Sequence, residues 1–161
     1  EKGSEYAILR RKLVVLNIGM ETIVMYSDGG SRGNPGPAAL GVYIETLDKQ
    51  YGEFLGVKTN NEAEYMAIVS GLKKIKSLLG KAKAKTIEVE CRMDSELAMK
   101  QLTHQYQVEK EHIQKLCFLV WNLTHDFAKV NFVHVYREHN TVADAMANKA
   151  MDEAQNLQTL L

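Results

Sequence analysis

Residues 22–28, TIVMYSD, are almost continuously apolar and rich in β-formers, as in a strand buried on both faces. A glycine- and proline-rich loop, GGSRGNPGPA, follows. Two further strand patterns, residues 40–47 and 51–58, flank a turn at Asp48 and Lys49 and predict a hairpin. Residues 61–79 predict a helix, because Ile68, Leu72, Ile75 and Leu79 recur at spacings of four, three and four. The lysine–alanine stretch 80–85 reads as a linker. Ile87, Val89, Cys91 and Met93 then alternate with charged residues, the pattern of a half-exposed strand. A short helix is expected over 95–103 and a longer one over 109–127, with Ile113, Leu116, Cys117, Val120 and Leu123 along one side. Residues 129–136 return to strand, 141–154 to helix and 155–161 to a frayed helical tail. The order βββαβααβα, a hairpin followed by crossovers, implies an α/β fold with a five-stranded mixed sheet and helices on both faces.

A length of 161 residues fits one domain. Twenty basic and twenty acidic side chains leave zero net charge, so any contact with nucleic acid must come from local charge or from metal ions. Cys91 and Cys117 are too few for a disulfide framework and lack metal-ligand spacing, which points to a reducing, cytoplasmic setting. No apolar run approaches the roughly 18 residues of a membrane span. Residues 1–19 contain a basic cluster (Arg10, Arg11, Lys12) and an apolar run, but Asn17 interrupts it and no cleavage site of small residues follows, unlike a signal peptide. Met20 reads as a natural start, with residues 1–19 an extension or a vector-derived segment and 20–161 the functional domain.

Four carboxylates stand at element junctions. Asp28 and Asp94 end strands, while Glu64 and Asp144 lie in the first turns of helices. Ligands of open α/β sheets gather at the carboxyl ends of strands. Each acid also has a purely structural reading. Asn61 with Glu64 fits a capping box and Thr141 with Asp144 fits one loosely. Asp94 can cap the helix that follows, and Asp28 before Gly29 can belong to a turn. Orientation argues the other way. Glu64 precedes Ile68 by four residues and Leu72 by eight, so it continues the stripe that faces the sheet. A carboxylate aimed at a core needs a partner, and four together repel one another. Few lysines or arginines lie beside them in sequence, whereas Mg²⁺ or Mn²⁺ suits hard oxygen ligands of this kind.

The pieces YSDGGSRGNPGPA (26–38), TNNEAEY (59–65), MDSELAMKQL (93–102) and HNTVADAMANKA (139–150) resemble type 1 ribonuclease H, in that family's order. The resemblance covers everything but the two ends of the chain. It implies a ribonuclease H-like fold and a metal-dependent endonuclease that hydrolyses the RNA strand of RNA–DNA hybrids, whatever their sequence. The implied products carry a 5′-phosphate and a 3′-hydroxyl, and double-stranded RNA is a second candidate substrate. Asp28, Glu64, Asp94 and Asp144 match the family's metal-binding acids, which implies two Mg²⁺ ions with Mn²⁺ as a substitute. In that scheme Asp28 bridges, Glu64 and Asp94 hold one ion, and Asp144 holds the other.

The resemblance also implies substrate contacts at Asn34, Asn60, Asn61, Ser95 and the Gly29 backbone. Glu96 departs from the glutamine that some members carry. The stretch 103–111 is short and lacks the lysine- and tryptophan-rich protrusion of some relatives. That resembles the archaeal-type branch and implies a weaker grip on substrate. The family's mobile histidine stands further from the last acid than His139, which is five residues before Asp144; Arg137 and His134 compete for its role. The lysines between 73 and 85 read as a solvated surface. Two other readings share the fold: an inactive module that grips the duplex, and a transposase-like strand-transfer domain. The four self-repelling acids argue against the first, and the small number of acids usual in the second argues against it too. A structural α/β protein explains each acid singly but not the SRGNPGP loop. Neither a membrane nor an obligate protein partner is implied.

Overall fold

The computed structural model describes residues 19–160, so the expectations for residues 1–18 lie outside the described residues. Strands β1 (Thr22–Ser31), β2 (Gly36–Ile44) and β3 (Lys49–Lys58) lead into helix α1 (Asn60–Leu79) and a single helical turn, α2 (Lys81–Ala84). Strand β4 (Glu88–Met93), helices α3 (Glu96–Leu102) and α4 (Glu111–Thr124), strand β5 (Lys129–His134) and helix α5 (Thr141–Thr159) complete the order. The five strands form one sheet in the order β3-β2-β1-β4-β5. The β1–β2 and β2–β3 pairs are antiparallel, and the β1–β4 and β4–β5 pairs are parallel. This is the mixed sheet that the hairpin and crossovers predict.

Several boundaries differ from the pattern, each for a local reason. β2 starts inside the glycine–proline loop, where Gly36 pairs with Lys58, and it stops at Ile44. A 3₁₀ turn, Glu45–Leu47, replaces the expected end of that strand, and Asp48 closes the hairpin at φ 49°. Aspartate tolerates this left-handed conformation better than most residues. The expected linker after α1 winds into α2 because alanine and lysine are strong helix formers, although they carry no apolar stripe to betray it. α5 runs on to Thr159 instead of fraying after residue 154.

The main core lies between the sheet and helices α1 and α4. Met25, Ile44 and Cys91 of the sheet pack there with Ile68, Leu72 and Val120, all buried. Removing each large aliphatic side chain from water contributes roughly 1.5–3 kcal/mol. Helix α5 covers the opposite face over β1, β2 and β3. Gly41 of β2 permits this approach: a methyl there would lie 1.8 Å from the carbonyl oxygen of Ala143. Gly41 is the cross-strand partner of Asp28, so α5 settles beside the residue that matters most below. Among the described residues no helix is long and apolar enough to cross a membrane, and both cysteines are free and buried.

Candidate active site

Ser27 and Met93 form the last rung of the parallel β1–β4 ladder, so Asp28 and Asp94 follow it side by side on adjacent strands. Glu64 joins them from α1. One carboxylate oxygen from each of Asp28, Glu64 and Asp94 lies within 4.8 Å of the others. Asp144, exposed on the first turn of α5, stands outside that compact trio but close enough for its charge to raise the Asp28 carboxyl. Three of the four sequence-predicted acids therefore form one cluster, and the fourth acts on Asp28 through its charge.

The helix starts explain why these acids are available. Thr59 caps α1: its Oγ1 accepts from the Glu62 N–H at 3.2 Å, and the Glu62 carboxylate accepts from the Thr59 N–H at 2.8 Å. The box expected on Asn61 and Glu64 thus sits two residues earlier, and Glu64 has no capping duty. Ser95, rather than Asp94, caps α3 by accepting from the Ala98 N–H at 3.2 Å. α5 begins at Asn140 with no side-chain cap, so the loose box on Thr141 and Asp144 does not form either. Three structural readings fall away together.

Gly29 draws the trio close. A methyl on it would lie 2.3 Å from the Glu64 nitrogen, so only glycine lets α1 rest on β1 backbone to backbone. The Gly29 N–H favours the charged form of the Glu64 carboxylate. Burial pushes the Asp28 carboxyl from 3.8 up to about 8, with Asp94 and Asp144 adding repulsion and Arg137 opposing it. Burial, followed by Asp28 and Asp94, likewise holds Glu64 well above its ordinary range, against the Gly29 N–H and Arg137.

The scarcity of cations holds along the sequence but not in space. Arg137 Nε stands 3.7 Å from Asp94 Oδ2, with the arginine side chain 89% exposed and the aspartate 9%. One solvated guanidinium does not neutralise a cluster of this many acids. Their donor set is all carboxylate oxygen, closely spaced and short of positive charge, which fits a hard divalent cation.

The other sequence candidates fall in distinct places. His139 shares the 3₁₀ turn Arg137–His139 but lines a separate hollow of about 120 Å³ with Tyr26, Tyr43 and Glu45. His134 ends β5 edge-on to Tyr136, with ring centroids 5.7 Å apart. Asn34 Oδ1 accepts from the Asn60 N–H at 3.1 Å, and Asn60 Oδ1 accepts from the Ser31 N–H at 2.8 Å. The glycine-rich loop and the start of α1 are therefore one unit, and these two asparagines keep their amide NH₂ groups to offer a ligand. Asn61 lines a groove of about 290 Å³ with Leu97, Val108 and Lys110. Glu96 pairs with Lys100 at 2.7 Å. Lys76 and Lys83 pair with Asp126 and Glu21 at the amino ends of the strands, away from the acids.

The sequence pattern does not single out Asn140, yet its Nδ2 donates at 2.9 Å to the carbonyl of Ser27, the residue before Asp28. An asparagine ahead of a helix signals a cap, not a cross-link to a strand.

β1 runs past Asp28 to Ser31 on its pairing with β2, instead of ending at Asp28 as the pattern predicts, but its ladder with β4 stops at Ser27. A sheet of this order, with acids on β1 and β4 just past their shared ladder, defines the ribonuclease H-like class of folds. A family model described as reverse transcriptase-like matches residues 27–150. Ribonuclease HI of Halobacterium salinarum is 36% identical over 133 residues, covering 80% of this chain and 64% of that protein. The bifunctional protein Rv2228c of Mycobacterium tuberculosis is 36% identical over 137 residues, covering 82% of this chain and 36% of that one. The chain thus spans between about a third and two-thirds of these curated relatives. The crystal structure of LC11-RNase H1 in complex with RNA/DNA hybrid superposes with a TM-score of 0.77 at 36% identity, covering 83% of this chain and 99% of that one. RNase H1 from Halobacterium salinarum gives 0.75 at 34% identity, covering 82% and 98%. The chain belongs to the type 1 ribonuclease H family.

Proposed function

We propose that this chain is a ribonuclease H, a metal-dependent endonuclease that hydrolyses the RNA strand of RNA–DNA hybrids to 5′-phosphate and 3′-hydroxyl products. The observation that carries this reading is the carboxylate trio gathered where the β1–β4 ladder ends, with Glu64 reaching it from α1. Phosphodiester hydrolysis gathers negative charge on the attacking oxygen, the phosphate and the leaving oxygen, and a pair of bound Mg²⁺ or Mn²⁺ ions supplies Lewis-acid stabilisation of that charge. Asp28, central to the cluster, is suited to ligate on both sides. Glu64 and Asp94 would help to hold one ion and Asp144 the other. Arg137 tempers the acids from the solvent side, and its contact with Asp94 favours it over His139 and His134 as the assisting group.

Substrate would be held along the unit made by the glycine-rich loop and the start of α1. The Gly29 backbone and the amide groups of Asn34, Asn60 and Asn61 are suited to phosphates and to the 2′-hydroxyls that tell RNA from DNA. The Ser95 hydroxyl already serves as the α3 cap, so its contribution falls to its backbone. Residues 103–110 join α3 to α4 with no helix between, in keeping with a modest grip on substrate. We place the functional domain at 20–161, with residues 1–19 as an extension, and a cytoplasmic setting suits the two free thiols.

A labelled RNA–DNA hybrid, incubated with Mg²⁺, Mn²⁺ or EDTA beside matched RNA–RNA and DNA–DNA duplexes, tests the reading. Metal-dependent cutting of the hybrid's RNA strand is expected, and cutting of RNA–RNA would add the second substrate. Binding without cutting in any metal would make the chain an inactive duplex-binding module. A folded protein starting at Met20 should turn over at a rate close to that of the full chain at saturating hybrid and moderate salt.

A further inference from the structure

We infer that Asn140 is a positioning residue whose side-chain hydrogen bond to the Ser27 carbonyl sets Asp144, on one side, and the turn that carries Arg137, on the other, beside the cluster of Asp28 and Asp94. The inference rests on the hybrid-hydrolysis reading and deepens it. Asn140 has 0% exposure, and its Nδ2 reaches the Ser27 oxygen at 2.9 Å across 113 positions of sequence. Ser27 occupies the last rung of the β1–β4 ladder and directly precedes Asp28. The bond therefore fastens the start of α5 to the point on β1 where the central acid follows.

The chain on either side of Asn140 bears the groups to be placed. Its carbonyl accepts from the Asp144 N–H at 3.1 Å, and its own N–H donates to the Arg137 carbonyl at 3.0 Å. One tether thus governs an acid on one side and a cation on the other.

The residue gives up its ordinary role to do this. An asparagine at an N-cap usually turns its side-chain oxygen onto its own helix. Here α5 has no side-chain cap, and Asn140 Oδ1 is buried with no partner among the described residues. A forgone cap and a buried unpaired oxygen both weaken the fold. Local costs of this kind persist where geometry beside a functional site demands them.

Asn140→Ser separates the two roles, because serine is a good N-cap but too short to reach Ser27. The melting temperature should stay close to that of the unsubstituted protein. With hybrid as substrate, kcat should fall about 10- to 100-fold with KM held within about twofold, since misplacement rather than lost binding is the cause. Calorimetric titration with Mn²⁺ in the absence of nucleic acid should show roughly tenfold weaker binding. In an Asp144→Ala background the same change should weaken Mn²⁺ binding by less than about twofold, because the acid it positions is gone. Unchanged kcat and Mn²⁺ affinity in folded Asn140→Ser overturns the inference. Should that variant not fold, Asn140→Asp, of the same shape but without the donor, is read by the same criteria. Failure of both to fold assigns Asn140 to stability alone and also overturns it. An unsubstituted protein that cuts no hybrid removes the functional reading, while the Mn²⁺ titrations still report on the tether.

Discussion

Gly29 of β1 and Ala63 of α1 meet backbone to backbone: a methyl on Gly29 would stand 2.1 Å from the Ala63 carbonyl carbon and 2.2 Å from its oxygen. Neither neighbour is a flexible side-chain end that could swing away, so α1 itself would have to move. Gly29→Ala should therefore lower stability by about 1–3 kcal/mol, the usual range for overpacking. It should also slow hybrid cleavage at least about tenfold, since Glu64 moves with the helix. Thermal melting and a cleavage assay check the two effects, and an unaffected variant would show that α1 is not held where this contact places it.

Asp28→Asn should abolish hydrolysis and leave the fold intact. Asparagine matches aspartate in shape but cannot carry the charge that a shared cation site requires. Without metal, the same change relieves repulsion from Asp94 and Asp144, so the melting temperature in EDTA near pH 8 should rise. Cleavage near the original rate by purified, folded Asp28→Asn would remove Asp28 from the centre of the site.

The raised carboxyls also fix how stability depends on pH. Asp28 moves from 3.8 to about 8 in the folded protein, so the folded chain holds this proton more tightly than the unfolded chain does. The favourable contribution is complete below about pH 4 and is lost as pH rises toward about 8. Glu64 shifts in the same direction and adds to the trend. Melting in EDTA should therefore show this contribution declining from mildly acid to mildly alkaline pH. Added Mg²⁺ should restore more stability at pH 8 than at pH 5, where protons occupy the carboxyls. An equal gain at both values would mean that the acids do not bind the ion.

Arg137 and His139 share one short turn and should behave differently. Arg137 touches Asp94, whereas His139 faces the hollow beside Tyr26 and Tyr43. His139→Ala should cost less than about tenfold in rate, below the range of roughly 10²–10⁴ usual for an acid–base group. Arg137→Ala should cost more than His139→Ala. It should also raise the Mg²⁺ concentration needed for half-maximal rate near neutral pH, because Asp28 and Glu64 then keep their protons to higher pH. Steady-state rates across a Mg²⁺ series distinguish the two, and a larger loss at His139 would transfer the assisting role to it.

The parts of this molecule legible in the sequence are those whose signals are local. Alternation in 87–93 and the stripe from Ile68 to Leu79 mark their elements because each buries one face, and four acids at junctions follow from those elements. The register of the α1 cap was less plain. TNNEAE contains two overlapping candidates, and the true pair, Thr59 with Glu62, joins a hydroxyl and a glutamate in the usual spacing. The Arg137–Asp94 contact spans 43 positions and depends on β4 and β5 lying parallel, so no local pattern announces it. Asn140 is hidden for the same reason, since a side chain bonded to another element looks in sequence like one bonded to its own.

The acids stand at positions 28, 64, 94 and 144, and α5 brings the last of them. During synthesis the β1–β3 hairpins and α1 leave the ribosome well before α5 does, so the earlier elements can collapse while the cluster still lacks a member. A nascent chain therefore carries Asp28, Glu64 and Asp94 before the segment bearing Asp144 has emerged. On the proposed reading, a chain cut before Asp144 should cleave no hybrid.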